Sequence, residues 1–182
     1  MTDDELFELC VANKELRIER DEDGQLIIMS PAGGITGNIN FKLITIFGEW
    51  MEKNSHLGYG FDSATGFRLQ DKSMRSPDVS FVKKEKWDAL TLEDQEKFAP
   101  VCPDFVIELR SKSDSLLQLK NKMEKWIKNG CQLGWLIDPI EKKSYIYKPD
   151  LPIKEVNGFD NTLSGENLLS GFELDLSRLT IK

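Results

Sequence analysis

A mixed α/β fold is predicted by three observations. Apolar patterns run in the order helix, hairpin, helix, several strands, helix and strands, which fits helices packed on a mixed sheet. Phe105-Val-Ile-Glu-Leu109 is a nearly continuous apolar run, the signature of a strand buried on both faces. The chain has 182 residues, of which 40% are hydrophobic and 30% charged, enough for one core and cramped for two full domains. A single domain over residues 1–182 is therefore expected, α/β in class with an α+β mixed sheet.

Each element has a local reason. Thr2 and Glu5 form a capping box for a helix over Thr2–Lys14, with Leu6/Cys10 and Phe7/Val11 paired at i,i+4. Leu16–Arg20 and Gln25–Ser30 flank the turn-forming Asp21–Gly24 and read as a β-hairpin. Pro31–Gly34 breaks the chain, and Ile39, Leu43, Ile46, Phe47 and Trp50 then recur at helical spacing to about Lys53. Gly58, Gly60 and Gly66 punctuate a short strand pair ending at Gln70. Asp71–Pro77 reads as a polar loop, and Asp78–Val82 as a strand. Short helices are expected near Lys84–Leu90 and from Thr91. Ser113–Ser115 can cap a helix running to Asn129, with Gly130 suited to end it. Leu133–Asp138 and Ser144–Lys148 are strands, and short strands and turns follow from Leu151.

Charge and rare residues exclude several functions. Lys+Arg number 24 against 31 Asp+Glu, a net charge of −7, which weighs against a general nucleic-acid binder, because such binding rests on cations neutralising phosphates. No apolar run approaches the roughly 20 residues that span a bilayer, so no membrane partner is expected. The acidic start, Met1–Glu5, is unlike a secretory leader or an Arg-rich transit peptide, and a cytoplasmic protein is expected. The one histidine, His56, sits beside a turn and reads as an exposed loop residue rather than a catalytic one. Cys10, Cys102 and Cys131 lie far apart with no C-x-x-C spacing, so neither thiolate zinc nor a disulfide framework is indicated. Neither a P-loop nor a G-x-G-x-x-G after a strand occurs. Carboxylates and lysines remain as the groups available for chemistry.

Glu108 is the first of them, since a carboxylate within a buried apolar strand is costly unless it is paired or holds a metal. Asp78 follows Pro77 at a strand mouth. If both emerge at one sheet end, a hard divalent ion could bind between them. The competing reading is that Glu108 simply pairs with a neighbour such as Arg75 or Arg110. On the following helix, Leu116, Leu119, Met123, Trp126 and Ile127 form the apolar stripe, and both Lys120 and Lys122 border it. Helical geometry does not choose between them. Lys125 and Lys128 read as a solvated face.

An ordered series of motifs carries a resemblance. Ser76-Pro-Asp78, Pro103-Asp-Phe-Val-Ile-Glu108-Leu-Arg-Ser111, Lys122-Met-Glu-Lys-Trp126, Asn129-Gly130 and Leu133–Pro139 follow one another. Upstream stand Arg17-Ile-Glu19-Arg20 with Gly24, Met29-Ser-Pro31, Thr36-Gly-Asn38 and Gly66-Phe-Arg-Leu69. The series resembles the Uma-type family of restriction endonucleases, abundant in cyanobacteria, within the PD-(D/E)xK nuclease superfamily. The likeness spans nearly the whole chain, to about Pro149. No single motif is specific; the ordered set is.

The resemblance implies a restriction-endonuclease-like core, a bound Mg²⁺ or Mn²⁺ and hydrolysis of DNA phosphodiester bonds. Asp78 and Glu108 match the metal carboxylates, with the Leu109 carbonyl as a further ligand. Arg110 stands where a lysine would complete the motif, and Lys122 occupies the place of a lysine moved to the next helix, which favours it over Lys120. Glu19 matches an N-terminal acidic position that joins such sites; a hairpin-surface glutamate is the other reading. Many relatives have histidine where this chain has Ile35-Thr36-Gly37, tyrosine at Trp126 and proline at Lys112. DNA as a transient partner and a homodimer are expected, since cutting both strands of a two-fold duplex suits a two-fold protein. Two alternatives stand beside this: an inactive nuclease-fold binding module, which the −7 charge supports, and a nuclease acting on RNA or branched DNA.

Overall fold

The computed structural model describes residues 1–180; residues 181 and 182, the end of the expected 1–182 domain, lie outside the described residues. α1 (Asp3–Ala12) starts at the expected capping box, with Thr2 accepting from the Glu5 N–H and Glu5 accepting from the Thr2 N–H. β1 (Arg17–Arg20) and β2 (Leu26–Met29) form the hairpin, and Gly24 takes φ +83° in its turn, where a side chain would be strained. α2 (Gly34–Lys53) starts directly after the breaker and buries Ile39, Leu43, Ile46 and Phe47. Then come β3 (Gly58–Asp62), β4 (Phe67–Arg68), β5 (Met74–Arg75) and β6 (Val79–Lys83), with two short helices, α3 (Lys84–Asp88) and α4 (Leu92–Glu96). β7 (Phe105–Leu109) leads through α5 (Leu116–Lys128), N-capped by the Ser115 hydroxyl, to β8 (Leu133–Asp138). β9 (Lys143–Tyr147), β10 (Lys154–Asn157), β11 (Thr162–Ser164), β12 (Glu173–Asp175) and a 3₁₀ turn at Leu176–Leu179 complete the chain.

Three sheets result among the described residues. The largest has the order β10-β9-β8-β7-β6-β3; β7 and β8 run parallel across α5 and the other pairs are antiparallel. Its mixed character matches the expected α/β class. The second has the order β2-β1-β5-β4, and β11 pairs β12 in the third. β7 is buried at all five positions, because both faces of the main sheet are covered. Phe105, Ile107 and Leu109 pack with α2 and the C-terminal segment, while Val106 packs with Met123 and Trp126 of α5. Strand alternation therefore turns Glu108 toward α5.

Two segments differ from the sequence expectation. β3 and β4 do not pair with each other: β3 joins β6 at the edge of the main sheet, and β4 joins β5 in the second. The Asp71–Pro77 segment is not all loop, since Met74–Arg75 forms β5, which pairs with both β1 and β4. Two residues are too short for an alternation to be read, so this strand exists through its neighbours. His56 is exposed in the α2–β3 turn, and the three cysteines are free thiols, Cys102 and Cys131 buried.

Gly58 is required by space rather than by φ. A Cβ there would run into the Val82 carbonyl oxygen and meet the Phe81 ring at 2.8 Å. Gly58→Ala should therefore cost about 2–3 kcal/mol. Gly48→Ala, mid-helix with nothing near its added Cβ, should gain about 0.5–1 kcal/mol. Urea unfolding of the two variants checks this, and equal effects would contradict the packing described.

Candidate active site

The antiparallel pairing of β6 with β7 brings the start of one strand to the end of the other. Asp78, just before β6, and Glu108, near the end of β7, therefore meet at one end of the main sheet. The Asp78 N–H donates to the Ile107 carbonyl at 3.1 Å, and Asp78 Oδ2 accepts the Leu109 N–H at 2.8 Å. Glu108 is 3% exposed, facing α5. Its Oε1 accepts the Trp126 indole N–H at 2.8 Å and lies 2.9 Å from Lys122 Nζ. Lys122 and Trp126, one helical turn apart, present both donors to one carboxylate oxygen.

Lys122 holds a second carboxylate. Its Nζ donates to Glu19 Oε1 at 2.8 Å and to the Ser76 carbonyl at 3.3 Å. Glu19 is 2% exposed and also accepts from the Ser76 N–H at 2.9 Å and from Arg75 at 3.1 Å. Arg75 continues to Glu22 at 3.5 Å, and Glu22 to Lys125 at 2.5 Å. A line of alternating charge thus runs Glu108, Lys122, Glu19, Arg75, Glu22, Lys125. It joins both larger sheets through α5.

These contacts bear on the alternatives left by the sequence. Glu108 does pair with neighbours, but these are Lys122 and Trp126 rather than Arg75, which goes to Glu19 and Glu22, or Arg110, which binds Asp138 at 2.7 Å. Lys120 lies over the Tyr145 ring at 4.1 Å, away from Glu108, whereas Lys122 reaches it. Glu19 is buried in the cluster and is not a hairpin-surface residue. Lys125 is engaged by Glu22 rather than solvated freely. Leu109, the other expected metal ligand, lies against Asp78 through its N–H. Sequence reasoning missed Trp126 as a partner of Glu108, for which its i,i+4 spacing from Lys122 was the available signal, and it offered Arg75 to Glu108 rather than to Glu19.

Burial and like charge govern the titration of the carboxylates. Burial pushes the Glu108 carboxyl up to about 7, with Asp78 and Glu19 adding to the rise and Lys122 opposing it. Asp78 is also raised by burial, against the Leu109 N–H, Lys122 and Arg17. Glu19 goes the other way: burial works to raise it, and Lys122, the Ser76 N–H and Arg75 overcome that. For Lys122, burial disfavours the ammonium, but Glu108 and Glu19 outweigh it and hold the group protonated. Three acids, Asp78, Glu108 and Glu19, thus gather around Lys122, with Arg75 as a second cation on Glu19. Among the described residues no group of three or more His, Cys, Asp or Glu forms a ready-made metal cage. A cavity of about 960 Å³ lies elsewhere, lined by Arg20, Lys72 and Asn129 among others and by none of Asp78, Glu108 or Lys122.

The raised Glu108 carboxyl has a consequence for stability. Between its ordinary 4.5 and about 7 it is protonated in the fold and ionised in the unfolded chain. The unfolded state binds fewer protons there, so this group makes stability fall as pH rises from 4.5 through 7. Glu108→Gln removes the slope. In thermal melts with EDTA, the melting temperature of the variant relative to wild type should increase from pH 5 to pH 8, and a pH-independent difference would contradict the burial argument.

Comparison with known proteins agrees with this architecture. A solved structure from Anabaena variabilis ATCC 29413, described as "a putative nuclease belonging to DUF820", superposes with a TM-score of 0.75. It is 22% identical in sequence and the match covers 91% of this chain and 90% of that one, which shows a shared fold. No curated protein matches. The Uma2 family, described as "Putative restriction endonuclease", matches residues 3–177. By that match, over nearly the whole chain, the protein belongs to the Uma2 family.

Proposed function

We propose that this chain is a divalent-metal-dependent endonuclease of the restriction type that hydrolyses DNA phosphodiester bonds in the cytoplasm. The observation that carries the reading is the meeting of Asp78 and Glu108 at one sheet end, with the Lys122 ammonium 2.9 Å from Glu108. The donor set fits Mg²⁺ or Mn²⁺. Asp78 Oδ1 and Glu108 Oε2 accept no hydrogen bond among the described residues, and hard carboxylate oxygens suit such ions. Asp78 and Glu108 would hold the ion, with the Leu109 carbonyl as a further ligand. Bound there, it would lower the pKa of a water and offset charge on the scissile phosphate.

The chain's own groups divide the remaining work. Lys122, held protonated by Glu108 and Glu19, is a poor proton acceptor; it steadies charge on the phosphate and orients the attacking water. Glu19 positions Lys122, and Arg75 and the Ser76 N–H position Glu19. The Trp126 N–H fixes the Glu108 carboxylate against rotation. A homodimer belongs to this proposal because a two-fold duplex is cut on both strands.

A second reading, a non-catalytic binding module on the same fold, is favoured by the −7 charge. Plasmid nicking with Mg²⁺ or Mn²⁺, paired with Mn²⁺ calorimetry, separates the two. Wild type should nick and bind Mn²⁺ saturably. Asp78→Ala and Glu108→Ala should lose both, and Lys122→Ala should slow nicking by about 10²–10³-fold. Equal nicking by wild type and all three variants, or no saturable Mn²⁺ binding, would overturn the nuclease proposal.

A further inference from the structure

We propose that Arg17 grips a substrate phosphate on the flank of the carboxylate pair. The inference rests on the nuclease reading above and names the protein's own contact to the nucleic-acid backbone. Arg17 and Glu19 are two residues apart on β1 and so project to one face. Glu19 enters the buried cluster, whereas Arg17 is exposed at the strand's start. The Arg17 guanidinium donates through Nη2 to the Ser63 carbonyl at 2.9 Å. Ser63 follows Asp62, whose cross-strand partner on β6 is Val79, the residue after Asp78. The contact therefore anchors Arg17 on the β3 side of Asp78, opposite the side where β7 carries Glu108.

Its pairing sets Arg17 apart from the neighbouring arginines. Of six arginines, Arg20 and Arg68 bind Asp3, Arg75 binds Glu19 and Arg110 binds Asp138. Among the described residues Arg17 has no carboxylate within 4.0 Å. Arg178, the other arginine without one, lies in the C-terminal 3₁₀ turn. A guanidinium has five N–H donors; the Ser63 carbonyl fixes one and leaves a planar fork facing water. That geometry matches two oxygens of a phosphodiester. In a chain of net charge −7, one uncommitted cation beside the acids gives a local foothold that the whole-molecule charge does not.

Salt dependence of binding tests this without turnover. A short fluorescein-labelled duplex is titrated in Ca²⁺ with wild type, Arg17→Ala, Arg17→Lys and Lys154→Gln. Lys154 is an exposed charge on β10, at the opposite edge of the main sheet. Arg17→Ala should reduce the slope of log K against log salt by about 0.9, the loss of one phosphate contact, and weaken binding roughly three- to ten-fold. Arg17→Lys should keep the slope and lose part of the affinity, since a point charge replaces a fork. Lys154→Gln should match wild type. If Arg17 only tied β1 to the β3–β4 turn, melting temperature would fall in Arg17→Ala while the slope stayed at the wild-type value, and that result overturns the inference. Wild type that nicks plasmid, with an Arg17→Ala slope equal to its own, removes the Arg17 assignment alone. Wild type that neither binds nor nicks removes the nuclease reading beneath it.

Discussion

The buried ammonium of Lys122, shared between Glu108 and Glu19, is the contact on which the site depends. Glu108 comes from the main sheet, Glu19 from the hairpin sheet, and Lys122 from the helix that crosses between two parallel strands. None of the three could be buried alone at tolerable cost, because an isolated buried charge is disfavoured by several kcal/mol. Together they are satisfied, and removing one partner leaves another uncompensated. The same contact holds Lys122 protonated and points it at Glu108 Oε1. Structure and proposed chemistry thus rest on one cation.

Much of this was legible because local physics dictates it. The capping box at Thr2, the hairpin turn at Gly24, the Ser115 cap and the apolar run at Phe105–Leu109 each specify an element from a few residues. Glu108 stood out as the one acid in a strand buried on both sides. Less legible was whatever depended on distant partners. Lys120 and Lys122 flank the same stripe, and in helical geometry alone nothing distinguishes them; Lys122 is set apart by its contacts with Glu108 and with Glu19, 103 residues away. Whether Glu19 was buried or on the hairpin surface stayed open, because its cover, β5, is two residues long and carries no periodic signal. Arg75, in that hidden strand, completes the burial.

The acidity of the chain takes on a different meaning at this scale. Net charge sums over the whole surface, whereas binding of a phosphate is decided within about 10 Å at ordinary salt. Asp78, Glu108 and Glu19 contribute to the −7, and two of them are raised by burial in a way that a divalent cation would relieve. Several surface acids are already neutralised locally, as in Lys97 with Asp4 and Glu93. On the proposed reading, the acidity at Asp78 and Glu108 would serve a cation rather than argue against a polyanionic substrate.

Anomalous diffraction from crystals soaked in Mn²⁺ tests that central claim most directly. A single strong peak touching carboxylate oxygens of both Asp78 and Glu108, with Lys122 still on Glu19, is the result predicted. Crystals that show Mn²⁺ only at other surface acids, or no peak between these two carboxylates, would contradict the account.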